Sequence, residues 1–354
     1  MKSMSSFERV LAVLEGKVPD RVPVGLHNYL MAARMHGLAL DEMVRNGEAL
    51  AEAQLAAWRE FGHDLIMHEF GVCAEAEAMG CKIRYQRDQP PRVQEPLIRS
   101  LEDIDQLHVP DPDTTFPLNQ LLLGTRILCR ETRGRVFING RSDQGPVALA
   151  MALCGPEQFL LKLMAPELES WVNRLLDICS QMNIALGRAQ RRAGAHSSTI
   201  GLAGTSIISP ALFDKFEAPR AAAFCRALKA AGCHAFVHAC GKETHLLPNL
   251  IATGASALEL DPATDLQCCK QATRSRTAVL GMLDPAHILC SSSRDEVREH
   301  VRQTLRVMAP GGGFIAGPGC ALPAHTKEEN IHELMDCVRR EGFGAQCKTV
   351  LPDN

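Results

Sequence analysis

From about residue 134 onward, short apolar runs alternate with longer stretches in which apolar residues recur every three or four positions. A short run bounded by turn residues suits a buried strand, and the longer period marks one face of a helix. The runs predict strands at 136–139, 198–202, 235–238, 257–261, 277–282 and 313–316, with an earlier one at 64–68. Helical spacing covers 210–231, 244–253, 293–308 and 327–340. The last of these opens with Thr326-Lys327-Glu328-Glu329, the pattern of a capping box. Seven or eight strand–helix units over this length argue for the α/β class and a (β/α)8 TIM barrel. A doubly wound open sheet is the alternative. The absence of Gly-x-Gly-x-x-Gly after an early strand weighs against it.

Residues 1–62 read as an N-terminal helical extension, covering the barrel floor or packing on a neighbour, so a homo-oligomer is one expectation. Residues 63–354 read as the barrel of a single domain. Residues 70–100 form an excursion from the pattern. There Lys82-Ile83-Arg84-Tyr85 alternates polar and apolar positions before Pro90-Pro91, which suits a small hairpin beside the barrel mouth. Gly311-Gly312-Gly313 lacks the spacing of a phosphate cradle and reads as a turn before the final strand.

The chain has 354 residues, 46% of them hydrophobic, enough for a full barrel core. A net charge of −3 offers nothing to nucleic acid, and no apolar run is long enough to span a membrane. The first residues run into an amphipathic pattern without a signal-peptide core, so a cytoplasmic location is expected. The 14 cysteines then point to a reducing compartment, most of them acting as small buried hydrophobes.

Three polar residues stand out against that background. His238 and Cys240 lie two apart at the end of the run 235–238, so their side chains share a face if the run is a strand. Cys320 follows the run 313–316. Barrel enzymes carry their chemistry at the C-terminal ends of strands. One nitrogen and two sulfurs arriving there make three of the four ligands that zinc prefers, and an open fourth position marks a catalytic site. Such a zinc suits the binding of a thiol as its thiolate, whereas hydrolytic sites more often use His and carboxylate ligands. The alternative is two buried thiols and a hydrogen-bonded core histidine. Glu259 and Asp261, on the strand after His238, are candidate catalytic carboxylates within reach of the same centre. Cys268-Cys269 and Cys233-His234 read as packing residues, and His68-Glu69 as mouth or structure in equal measure.

Phe7-Glu8-Arg9-Val10-Leu11-Ala12 with Pro19-Asp20-Arg21-Val22-Pro23-Val24 resembles the opening of the uroporphyrinogen decarboxylase superfamily. His238-Ala239-Cys240-Gly241, Gly281-Met282-Leu283-Asp284-Pro285 and the stretch from Gly319-Cys320 to Thr326-Lys327-Glu328-Glu329-Asn330-Ile331 extend the resemblance over nearly the whole chain. Within that superfamily the His-x-Cys…Cys set, with Glu75-Ala76-Glu77-Ala78-Met79-Gly80-Cys81, is similar to the corrinoid-dependent methyltransferases acting on coenzyme M.

The resemblance implies a barrel with Zn2+ held by His238, Cys240 and Cys320. It also implies methyl transfer between a thiol and a corrinoid (methylcobalamin) carried on a small partner protein. Asp261 stands where an acidic residue fills the fourth coordination position in the absence of substrate, with Glu259 as runner-up. His27 and the polar segment 139–146, in particular Asn139 and Gln144, are candidates for gripping corrinoid or substrate. A decarboxylase acting on a tetrapyrrole is the second reading. Decarboxylases of the superfamily carry an Arg-Gln-Ala-Gly-Arg segment near the start, and the matching residues 25–34 here lack its arginine cluster. A polycarboxylate substrate needs several such cations.

Overall fold

Apolar runs that are hydrophobic on both faces pair in parallel and need cover on each side, inside and outside a closed sheet. A computed structural model describes residues 3–345 except 88, 143, 203, 204 and 206. In it the runs form eight parallel strands: β1 (Gly25–Leu26), β2 (Leu65–His68), β5 (Phe137–Ser142), β6 (Ser197–Gly201), β7 (His234–Ala239), β8 (Ala257–Leu260), β9 (Ala278–Leu283) and β10 (Phe314–Pro318). They are hydrogen-bonded in chain order, and a Val24–Ala316 bridge brings β10 against the first strand. Closure needs a bare backbone at one point, because a Cβ on Gly317 would collide with the Gly25 carbonyl oxygen. The fold is the expected (β/α)8 barrel. The excursion after β2 holds a short helix, Ala74–Ala78, and an antiparallel hairpin, β3 (Lys82–Gln86) with β4 (Gln89–Glu95). No helix among the described residues is long and apolar enough to cross a membrane.

Two expectations need correction. The barrel does not begin at residue 63, because β1 lies inside the stretch read as helical extension. A strand two residues long leaves no periodic signature, and tertiary pairing with β2 defines it. Residues 210–231 are also not one regular helix: a π-helical turn, Phe213–Glu217, separates Pro210–Leu212 from Ala218–Ala230.

Strand alternation divides the barrel interior into levels. Leu65, Met67, Phe137, Phe236, Ala257, Leu280 and Ile315 form an apolar floor. Val10 and Val13 of the helix Ser6–Leu14 plug it from below. The intervening residues Ile66 and Ile138 face outward onto Ala51, Leu55 and Leu128 of the covering helices. Further along the inward face, toward the mouth, come Arg141, His238 and Glu259, with Glu69 just past the end of β2.

The N-terminal helix is fastened by charge as well as by packing. The fully buried Asp64 carboxylate accepts hydrogen bonds from Ser6 Oγ (2.7 Å), Arg9 Nη1 (2.7 Å), Arg21 Nη1 (2.7 Å) and the Val24 amide (2.9 Å). Arg9 also binds Asp20 through Nε at 2.6 Å. The arginines and Asp20 of the opening motif are therefore the clamp that holds the floor helix against β1 and β2. Removing one partner of a buried ion pair leaves charge uncompensated, typically at a cost of about 3–5 kcal/mol. Asp64→Asn is expected to lower stability toward urea by that order, with the unfolding midpoint as the measurement. A loss below about 1 kcal/mol would place the pair among interactions worth no more than a surface ion pair.

Candidate metal centre at the barrel mouth

The site is built by the ends of β7 and β10. His238 is the inward residue one step before the end of β7, and Cys240 follows on the same face just past it. Cys320 lies two residues beyond β10. Their ligand atoms all lie within 4.8 Å of one another, the one such group of metal-ligating residues among the described residues. His238 Nε2 stands 2.8 Å from Cys240 Sγ, and the two sulfurs are 4.0 Å apart. Zn–S bonds of about 2.3 Å and Zn–N bonds of about 2.05 Å put tetrahedral edges at about 3.8 Å between sulfurs and about 3.6 Å between nitrogen and sulfur. The sulfur pair fits such an edge, and the His238–Cys240 edge has to open by under about 1 Å. The donor set and its spacing thus suit zinc.

Cys320 is pressed into this corner by its neighbours. A Cβ on Gly319 would stand 2.7 Å from the Leu260 carbonyl oxygen, 2.7 Å from Pro262 Cδ and 3.0 Å from Asp261 Cα. Only a glycine lets the β10 loop lie this close to the end of β8.

Electrostatics favour a thiolate within the cluster. The contact from Cys240, with the adjacent His238 imidazole, holds the Cys320 thiol well below its usual range despite burial. The same contact with Cys320, and then burial, keep the proton on Cys240. Burial opposes a charged His238, but Glu259 and Cys320 outweigh it and raise its pKa.

Beneath the sulfurs lies a closed circuit of buried charges. Arg141 Nε binds Glu69 Oε2 at 2.6 Å, and Arg141 Nη1 binds Glu259. His27 bridges the same two carboxylates, with Nε2 3.1 Å from Glu69 Oε1 and Nδ1 3.3 Å from Glu259 Oε1. His238 Nδ1 is 3.4 Å from Glu259 Oε2. All five side chains are buried. The histidine contacts are longer than good hydrogen bonds and act as ion pairs. Burial works against the charged forms, yet Glu69, the leading opposing influence, drives His27 up to about 10. For Glu69 the neighbouring His27 and Arg141 overcome burial and bring the carboxyl down to about 2.

The expected site residues divide accordingly. His238, Cys240 and Cys320 converge. Glu259 is inward on β8 and touches His238, outside the three-ligand group. Asp261 is not on the strand, which ends at Leu260; its Oδ1 accepts from the Ala263 amide at 2.8 Å in the loop beside Gly319. His27 belongs to the charge circuit. Asn139 lies within β5, which continues to Ser142, and its amide is bonded to Thr199 Oγ1 (2.9 Å) and Ser197 Oγ (2.8 Å) inside the barrel. Gln144 is buried next to the loop, its carbonyl accepting from Asn183 Nδ2 at 2.6 Å. Asp143 of that segment lies outside the described residues. His68 faces outward to Gln54 Oε1 (2.6 Å) and the Leu121 carbonyl (3.1 Å), while the next residue, Glu69, faces the mouth.

Sequence reasoning missed Arg141 as the hub of the circuit, although it lies two residues beyond Asn139 on the inward face of β5. It also missed Glu243, which ties three loops together. Its buried carboxylate accepts from Thr205 Oγ1 at 2.8 Å after β6, and its amide donates to Thr264 Oγ1 at 3.2 Å after β8.

The close approach at Gly319 is open to a direct test. Forcing extra carbon into a packed corner costs typically about 1–3 kcal/mol. Gly319→Ala is expected to lose that much in urea unfolding and to displace Cys320 from His238 in a crystal structure. An unshifted Cys320 with unchanged stability would show that the corner has room to give.

Comparison with known proteins bears on the family and the fold. Residues 5–341 match the uroporphyrinogen decarboxylase (URO-D) family. A methylcobamide:CoM methyltransferase of Methanosarcina acetivorans is 26% identical over 349 residues, covering 94% of this chain and 97% of the relative. A uroporphyrinogen decarboxylase of Syntrophotalea carbinolica is 28% identical over 303 residues, covering 84% and 86%. Among solved structures, a methyltransferase from Methanosarcina mazei superposes with a TM-score of 0.86 at 22% identity, over 96% of this chain and 99% of the other, which establishes the shared fold. The match over almost its full length places the chain in the uroporphyrinogen decarboxylase family.

Proposed function

We propose that this chain is a zinc-dependent methyltransferase, moving a methyl group between a corrinoid on a small partner protein and a thiol such as coenzyme M. The observation that carries the reading is the convergence of one imidazole nitrogen and two thiol sulfurs at the ends of β7 and β10. Both kinds of named relative are enzymes, and the methylcobamide:CoM methyltransferases among them support the choice of substrates. Three protein donors, not four, are the pattern of a catalytic zinc with a position for an exchanging ligand.

When bound, zinc supplies one thing here: it holds an added thiol as thiolate near neutral pH, where a free thiol of pKa about 8.5 is mostly protonated. The chain's own residues do the rest. His238, Cys240 and Cys320 would hold the ion, and Gly319 sets the place of Cys320. Asp261, at the rim beside Gly319, would be the exchangeable fourth donor in the absence of thiol; here its Oδ1 accepts from the Ala263 amide at 2.8 Å. The Thr205–Glu243–Thr264 link holds the loops after β6, β7 and β8 at fixed spacing around the mouth.

A tetrapyrrole decarboxylase is the second reading, favoured by the decarboxylases among the relatives. It needs free cations to grip several carboxylates. Arg141 at the mouth is already held by Glu69 and Glu259, and residues 25–34 supply only Arg34, whose Nε is bonded to the Ala324 carbonyl at 2.5 Å.

Elemental analysis of protein purified without chelator is expected to find about one zinc per chain. Cys240→Ala and Cys320→Ala are each expected to lose the metal and the transfer of methyl from methylcobalamin to coenzyme M, with unchanged circular dichroism. A chain that neither contains nor takes up zinc would contradict the proposal. Unfolding of both variants would mark the site as structural.

A further inference from the structure

The apolar floor shows that this barrel fills its interior with hydrocarbon where nothing else is required. One level higher it spends four strand ends on Glu69, Arg141, Glu259 and His27, all buried. Buried ion pairs of this kind are commonly no better for stability than well-packed apolar residues of similar volume. The choice therefore calls for a reason at that level, and His238 is the residue it surrounds.

The geometry supplies one. Glu259 is restrained through both oxygens: Oε1 by His27 Nδ1 at 3.3 Å, and Oε2 by Arg141 on one side and His238 Nδ1 at 3.4 Å on the other. Glu69 touches neither His238 nor the sulfurs, but it holds Arg141 and His27 from the far side and closes the circuit. A carboxylate fixed in this way faces Nδ1 of His238. The ring's other nitrogen, Nε2, is then the one presented to Cys240 Sγ, at 2.8 Å.

We propose that Glu259, clamped by Arg141 and His27, is the positioning residue of the metal centre: it keeps the proton of His238 on Nδ1 and so reserves Nε2 as the ligand. Glu259 in this role contacts neither metal nor substrate. It differs from Asp261, which lies one residue beyond the strand, outside the circuit, with its Oδ1 on the Ala263 amide. The inference rests on the zinc reading for its consequence, but the state of the imidazole is measurable without any metal.

Long-range 1H–15N correlation spectra, with His238 assigned by comparison with His238→Asn, test it in the wild-type chain. Nδ1 of His238 is expected to be protonated in metal-free protein and to stay so on adding zinc, with Nε2 taking the shift of a ligating nitrogen. An unprotonated Nδ1, or ligation through Nδ1, would overturn the inference. Competition with a chromogenic chelator gives the second readout. Glu259→Gln is expected to raise the zinc dissociation constant by about 10–100-fold, the usual effect of losing an outer-shell partner. An unchanged constant in a folded variant would also overturn it. A wild-type chain that binds no zinc, yet protonates Nδ1, would sink the methyltransferase reading and sustain the orientation of His238. If Glu259→Gln does not fold, the wild-type spectra decide alone.

Discussion

Glu259 is a carboxylate with no access to water, placed where three cationic or hydrogen-bearing groups from other strands reach it. Arg141 arrives from β5, His27 from the end of β1 and His238 from β7. That meeting exists only if the sheet closes, because β1 and β8 are far apart in chain order and share a level only across the barrel lumen. Closure in turn depends on Gly317 passing the Gly25 carbonyl and on the Asp64 clamp that seats the floor helix. The floor, the charged level and the sulfur rim are thus successive inward positions on the same strands, with polarity rising toward the mouth.

This layering explains which parts were legible in the sequence. The strands from β5 to β10 are apolar runs between helical stretches, and their period and spacing were enough for the barrel. The His238–Cys240 pair was legible because two residues at period two need only one strand to share a face. Cys320 required the further step that both strands end at the same mouth. β1 was hidden because two residues carry no period, so its pairing with β2, not its composition, makes it a strand. His68 and Glu69 could not be separated until the register of β2 set one outward and the other inward. Arg141 was passed over for a related reason: it looks like an ordinary charge until closure brings its partners within reach. The run 136–139 stopped three residues short of the end of β5, and the structure uses Asn139 to hold β6.

The relatives carry two different names on one fold, and function in such families follows the mouth, not the barrel. Here the mouth offers soft donors, two sulfurs and an imidazole, and its central arginine is already neutralised. Soft donors favour zinc and thiolate chemistry, whereas a polycarboxylate tetrapyrrole calls for unpaired cations. The charge circuit and the missing arginine cluster near residues 25–34 are two independent features pointing away from such a substrate.

In the proposed function, the mouth would present a zinc ion with one exchangeable position to a thiol. X-ray absorption at the zinc edge, on the metal-loaded chain before and after adding coenzyme M, tests it most directly. The resting site is expected to show the two cysteine sulfurs with nitrogen and oxygen, and the thiol to add a third sulfur while the oxygen is lost. A coordination shell that already holds three sulfurs at rest, or that does not change when the thiol is added, would contradict it.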